Sequence, residues 1–324
     1  MAFSRFDPGA TPVARIGLGL AAVGRPGYLN LGRSRDLPAE RTPEVMRQRT
    51  HELLAAAHAA GVRYVDTARS YGRAEEFLAD WLHARGPAAA DVVVGSKWGY
   101  TYTAGWRVRA EVHEVKDHGI DAFARQVAES RALLGERLDL YQIHSVTPDS
   151  PALRDRELHE RLAALAAEGV TIGLSTSGPR QAEAVRAALE VSVAGRPLFR
   201  TVQCTYNLLE TSAEAALAEA HAAGRTVLVK EALANGRLAG EAAPPEVRRL
   251  AAALGTTPDA VALAAVLARD WAGVVLSGAA SVAQLRANLA AADLALGEEQ
   301  RASLTRLAEP PQEYWAHRAA LPWG

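Results

Sequence analysis

Short apolar runs alternate with longer segments rich in Ala, Leu, Arg and Glu at helical period, and the alternation persists almost to the end of the 324-residue chain. Few folds accept such a pattern. The apolar runs are ARIGLGL (14–20), RYVDTA (63–68), DVVVGSKW (91–98), LDLYQIHS (138–145), VTIGLSTS (170–177), TVQCTYN (201–207), TVLVKEAL (226–233) and GVVLSGA (273–279). Helical period falls between them, near 46–60, 75–85, 121–135, 153–168, 180–190, 212–223, 245–269 with a break at Thr257 and Pro258, and 281–292. Strands separated by helices run parallel, because a parallel crossover needs a long connection. Eight such units in one series predict an α/β fold, a closed (β/α)8 TIM barrel with extended loops at the C-terminal face of its strands. No linker divides the chain. It is read as one domain over 1–324, with a core over 14–295 and a C-terminal helix and tail over 297–324. An open doubly wound sheet would need a Gly-rich turn after the first strand, and Gly17 and Gly19 lie inside that strand instead.

Composition narrows the partners. Thirty-six basic and 37 acidic side chains leave a net charge of −1, which removes the electrostatic case for nucleic acid or an anionic membrane and leaves a small molecule as the expected ligand. No run is long and charge-free enough to span a bilayer. Cys204 is the single cysteine, so neither an intrachain disulfide nor a thiolate cluster can form, and a cytoplasmic location is expected. Only Lys97, Lys116 and Lys230 are lysines. Where Arg serves almost everywhere, a Lys marks a place that needs a compact ammonium; for Lys116, inside a polar loop, chance survival is the simpler reading.

In a barrel of this kind the functional site lies at the C-terminal strand ends. Those ends carry Asp66 and Tyr71, then Lys97, then His144, then Ser175 and Thr176, then Gln203, Tyr206 and Asn207, then Lys230 and Glu231. Taken singly, each has an ordinary structural role open to it: Asp66 as a turn cap, Tyr71 as rim packing, His144 as a core imidazole. A lysine ending the apolar run VVVGSKW is different, since burying an ammonium is costly without an acid beside it. Asp66 on the neighbouring strand is the candidate partner.

At this point the chain resembles the aldo-keto reductase family. The motifs are D-T-A-x-x-Y-G with a following Glu at 66–75, S-K-W-G at 96–99, Q-I-H-S at 142–145, G-L-S at 173–175, Q-x-x-Y-N at 203–207 and G-A-x-S-x-x-Q-L-x-x-N at 278–288. The resemblance implies a catalytic tetrad of Asp66, Tyr71, Lys97 and His144. Hydride addition to a carbonyl generates an alkoxide that needs a proton, and a phenol with an ordinary pKa of about 10 is a reluctant donor near neutrality. Tyr71 would be the acid, Lys97 would lower its pKa, Asp66 would anchor Lys97, and His144 would polarise the carbonyl oxygen. The hydride must come from a cofactor. The implied function is NAD(P)H-dependent reduction of aldehydes or ketones to alcohols, or the reverse.

By the same resemblance Ser175, Thr176 and Gln203 would hold the nicotinamide carboxamide, with Thr176 where Asn is common. Lys230 occupies the place of a stacking aromatic. Leu233, Asn235 and Gly236 resemble a pyrophosphate loop, and Ser281, Gln284 and Asn288 match positions facing the adenosine end. Gly278, Ala279 and Ala280 stand where relatives often place a cation for the 2′-phosphate, with Arg286 as a possible substitute. NADPH is the expected cofactor and NADH its rival. Trp98, Tyr100, Tyr102 and Trp106 are read as lining a substrate pocket, although loop aromatics also pack ordinary rims. The segment WGYTYTAGWRVRAEVHEVKDHG, with His113 and His118, fits no standard metal-ligand spacing and is expected to be a solvated substrate loop. Two other readings are open: a lyase forming a Schiff base on Lys230, and a nicotinamide-binding sensor without turnover. Whether the Trp315 and Trp323 tail covers the mouth or a neighbouring subunit, and the oligomeric state, are left open by the sequence.

Overall fold

The computed structural model describes residues 11–29, 31 and 36–324. Eight parallel strands close into a barrel: β1 (Ile16–Gly19), β2 (Tyr64–Asp66), β3 (Val93–Trp98), β4 (Leu140–Val146), β5 (Thr171–Thr176), β6 (Thr201–Thr205), β7 (Thr226–Lys230) and β8 (Val274–Ser277). Each lies inside one of the apolar runs, save that β4 extends one residue past its run to Val146. The barrel closes through β8 on β1, with Ile16 opposite Val275 and Gly17 opposite Leu276. Strands buried on both faces read as continuous apolar runs rather than alternating ones, which is why they stand out in the sequence.

Tyr64 fills the barrel interior with Val93, Leu140, Leu228, Val274 and Leu276. Two glycines make room for that ring. A Cβ on Gly95 would lie 2.2 Å from the Tyr64 hydroxyl oxygen, and one on Gly17 would lie 2.9 Å from Cδ1 of the same ring. Gly17 is therefore a packing glycine, not a phosphate-turn glycine, and the Tyr64 hydroxyl emerges under Asp66, to which it donates at 3.1 Å.

Helices follow the strands and bury one face each. In Arg156–Ala167 the Asp155 side chain accepts from Leu158 N–H, and Leu158, Leu162 and Leu165 face inward at helical spacing. The long segment after β7 breaks where Thr257 caps a new helix that begins with Pro258. Helix Pro258–Leu267 is buried from Ala260 to Leu267, so its apolar character belongs to the core. Among the described residues no single helix is long and apolar enough to cross a membrane.

Two antiparallel hairpins decorate the barrel where the sequence pattern gave loops. One pairs Ser192–Val193 with Arg196–Pro197. The other pairs Tyr100–Tyr102 with Glu114–Lys116, with Tyr100 opposite Lys116, so the expected solvated loop after β3 carries ordered structure above the barrel mouth. Its strands are too short for the sequence to announce them. The chain ends in helices Glu298–Leu304 and Pro311–Ala319 and a tail that returns to the mouth: Tyr28 N–H donates to Gly324 O and Gly324 N–H to Tyr28 O, each at 3.2 Å.

Candidate active site

Asp66 is the last residue of β2, Tyr71 follows in the turn, Lys97 lies near the end of β3 and His144 near the end of β4. Parallel pairing of three successive strands brings them to one rim. Lys97 is wholly buried. Its ammonium donates to Asp66 Oδ2, to Thr67 O at 2.9 Å and to the Tyr71 hydroxyl at 3.3 Å. The other carboxylate oxygen of Asp66 accepts from Tyr64 and, at 2.8 Å, from Gln203 Nε2. Both buried charges are thus paired and bonded, the condition under which burial is tolerated. Arg69 stands outside this group and pairs with Glu75 and Glu129.

Burial pushes the Tyr71 phenol well above its ordinary range, Asp66 adds to the rise, and Arg25 works against it. The phenol is thus raised rather than lowered as expected from Lys97, and it is held protonated, as a proton donor must be. Burial and then Lys97 push His144 well below 6.5, so its imidazole is neutral at physiological pH. Its Nδ1 faces Ser70 Oγ at 3.4 Å, and its ring meets the rings of Tyr71 and Tyr100 edge-on at 5.6 and 5.1 Å.

A cleft of about 690 Å³ runs from these residues across the mouth, walled by Asp66, Tyr71, Tyr100, His144 and Gln203 at one end and by Gly278, Gln284 and Asn288 at the other. Lys230, Leu233, Asn235 and Gly236 line it between. Inside its wall the Oδ1 atoms of Asn235 and Asn288 are buried without a partner among the described residues, the condition expected of groups that await a polar ligand. A dinucleotide, with its amide, hydroxyls and phosphates, fits such a surface.

Several sequence-assigned residues sit elsewhere. Ser175 and Thr176 are buried outside the cleft wall, and Ser175 Oγ accepts from Ser145 N–H at 2.8 Å, so its hydroxyl is engaged by the neighbouring strand. Ser281 caps the helix Val282–Leu289. Gln203 lines the cleft, yet its amide nitrogen is committed to Asp66. Asn235 Nδ2 donates to Leu29 O at 2.9 Å. Of the four aromatics expected to line a substrate pocket, Trp98, Tyr100, Tyr102 and Trp106, Tyr100 alone lines the cleft. Trp98 is fully buried against Phe123, and Trp106 donates to Arg41 O and packs on Phe77. Tyr102 sits on the hairpin outside the cleft wall. Arg286 is exposed and likewise outside it.

Arg25 and Arg318 reach the cleft although the sequence did not single them out. Arg25 is buried at its edge, donating to Ser70 O at 2.9 Å and Glu114 at 2.8 Å. Its guanidinium lies 5.4 Å from the Tyr71 ring centre and 4.7 Å from that of Trp323, which is stacked on His113 at 4.0 Å. Glu231 has a left-handed backbone (φ 56°) and receives Arg318 through both carboxylate oxygens. Burial raises the Glu231 carboxyl, but Arg318 and then Lys230 outweigh it and hold it at about 2. Lys230 donates to Thr205 Oγ1 at 2.7 Å, and burial lowers its pKa. Arg25 reaches Trp323 near the other end of the chain and Arg318 reaches Glu231 87 residues away, separations that a motif of local spacing does not register. Cys204 is buried, donates to Gln181 Oε1 and is pushed up to about 12 by desolvation, so it is an inert thiol. Among the described residues no cluster of His, Cys, Asp or Glu could hold a metal ion.

Residues 15–309 match the model of the Aldo/keto reductase family. The aldo-keto reductase str7 of Strobilurus tenacellus is 27% identical over 339 aligned positions, covering 93% of this chain and 90% of that protein. An uncharacterized oxidoreductase of Mycobacterium tuberculosis is 31% identical over 78% of this chain and 80% of its own length. Among solved structures, an aldo-keto reductase from Klebsiella pneumoniae in complex with NADPH superposes with a TM-score of 0.66 at 26% identity, covering 92% of this chain and 91% of that one.

Proposed function

The chain belongs to the aldo/keto reductase family, and on that premise we propose that it reduces aldehyde or ketone carbonyls to alcohols, or runs the reverse, with Tyr71 as general acid. A bound nicotinamide dinucleotide supplies the hydride. As the carbonyl carbon accepts it, negative charge collects on the substrate oxygen, and the proton of the Tyr71 hydroxyl moves to that oxygen. The phenolate left behind faces the Lys97 ammonium 3.3 Å away, which Asp66 fixes in place. In the tautomer with its hydrogen on Nε2, neutral His144 accepts at Nδ1 from Ser70 Oγ, 3.4 Å away, and donates to the carbonyl oxygen where charge develops. A proton from solvent then restores Tyr71.

The single observation that carries this reading is the buried Asp66, Lys97 and Tyr71 chain at the end of the cleft. Its parts suit proton delivery and no structural need requires a phenol there. Leu233, Asn235, Gly236, Gly278, Gln284 and Asn288 are the residues we assign to the dinucleotide. NADPH is our first choice, since a family neighbour was solved with it. NADH is the rival, because Gly278, Ala279 and Ala280 bring no cation.

Fluorescence titration with each dinucleotide, followed by consumption of the reduced form across a panel of aldehydes and ketones, tests the proposal. Binding with carbonyl-dependent oxidation is expected. Tight binding with no oxidation across the panel would leave a sensor. A borohydride-trapped carbonyl adduct on Lys230 that forms without nicotinamide would instead identify a lyase, since Lys230 lines the cleft with a lowered pKa.

A further inference from the structure

The corner that presents His144 is not regular strand. Pairing of β4 with β5 shifts register between Ile143 and Val146, and Ser145 adopts a left-handed backbone (φ 54°) that a serine seldom takes. Such a conformation persists only where its surroundings over-determine it. Three side chains do so here. Ser175 Oγ accepts from Ser145 N–H at 2.8 Å, Lys116 Nζ donates to Ser145 O at 2.8 Å, and His118 Nε2–H donates to His144 O at 2.7 Å.

His118 is itself held. Its Nδ1 accepts from the Ser150 hydroxyl, which fixes the tautomer that donates to His144 O. Its ring lies edge-on to Trp98, and Gly99 (φ 107°) gives it space, since a Cβ there would lie 2.6 Å from His118 Cδ2. Lys116 and His118 both come from the return strand of the hairpin and the turn after it, so one surface element grips both carbonyls of the His144–Ser145 corner.

We propose that His118, assisted by Lys116, is a positioning residue for the reaction: it fixes the backbone from which His144 aims its imidazole at the substrate carbonyl. This rests on the carbonyl-reducing reading of the site. The grip also gives Lys116 a task, where chance survival was the simpler reading of the sequence, and it gives Trp98 one as the wall behind His118.

The test compares His118→Phe, which keeps a ring and loses the donor, with His118→Gln, which restores a donor. Imidazole nitrogen and proton NMR signals of His144, assigned by their loss in His144→Ala, are measured without turnover; kcat and dinucleotide Kd are then measured on the same proteins. Shifted or broadened His144 signals, a kcat lower by about ten- to a hundredfold and an unchanged dinucleotide Kd are expected for His118→Phe. Most of that loss should return in His118→Gln and vanish in a His144→Ala background, because the residue acts through His144. Wild-type His144 signals in His118→Phe, an unchanged kcat, or the same fold-loss in the His144→Ala background would overturn the proposal. Should His118→Phe not fold, Lys116→Met reaches the same corner from outside: shifted His144 signals with lower kcat are expected, and wild-type values overturn. If the wild-type protein reduces no carbonyl at all, the functional reading has failed, and the ring signals still decide the grip.

Discussion

Lys97 is the side chain whose removal should cost the molecule most. Lys97→Met leaves the Asp66 carboxylate buried with only Tyr64 and Gln203 as donors, and breaking a buried pair on one side costs about 3–5 kcal/mol. Chemical denaturation should show a loss of that order, and the double variant Lys97→Met with Asp66→Leu should recover part of it. A single variant as stable as wild type would mean that the pair is hydrated or already neutral. Tyr71 yields a pH prediction. Its phenol is raised well above 10 by burial first and Asp66 second. A raised pKa keeps an acid protonated to higher pH, so kcat for reduction should show no phenol-dependent fall up to pH 10. An alkaline break below that value would contradict the electrostatics described here.

At the scale of elements, the hairpin and the turn after it are the part that links surface to site. Burial, with Lys116 nearby, lowers His118 to about 4. The unfolded chain therefore takes up a proton near 6.5 that the folded chain refuses until about 4. Stability from this group is full above 6.5 and is lost as pH falls through that window, by up to about 3 kcal/mol. Urea unfolding at pH 7 and pH 4.5 should show the loss in wild type and a smaller one in His118→Gln; equal losses would place His118 in a solvated setting.

The same element shows what the sequence could and could not announce. All eight barrel strands were legible because parallel strands buried on both faces are continuous apolar runs. Asp66, Lys97 and His144 stood out as polar groups at the ends of apolar runs, which converge in a barrel, whereas Tyr71 and the grouping of all four came from the motifs that resemble the family. The hairpin was not, since three-residue strands carry too short a pattern. Trp98 and Trp106 misled for a related reason: an aromatic at a strand end or in a loop above a barrel has the same composition whether it faces substrate or core. Ser175 and Thr176 were placed by motif, while the structure buries both outside the cleft wall, with the Ser175 hydroxyl taken up by Ser145 N–H, a contact that motif spacing does not encode.

For the whole molecule, one edge of the mouth is built by contacts between the two ends of the chain. The tail pairs Gly324 with Tyr28 and wedges Trp323 between Arg25 and His113, while Arg318 locks the last helix to Glu231. Removing residues 322–324 takes away the wedge and leaves the barrel core intact. Stopped-flow displacement should then show faster dinucleotide release with little change in Tm; unchanged release would mean that the tail does not gate the cleft. The proposed reaction turns on the delivery of one proton at the rim. Single-turnover oxidation of bound NADPH or NADH by a reactive aldehyde, compared between wild type and Tyr71→Phe, tests it most directly. The account predicts a rate about 10²- to 10⁴-fold lower in the variant, with the dinucleotide still binding at wild-type affinity. A variant that turns over at the wild-type rate would show that the proton comes from another group.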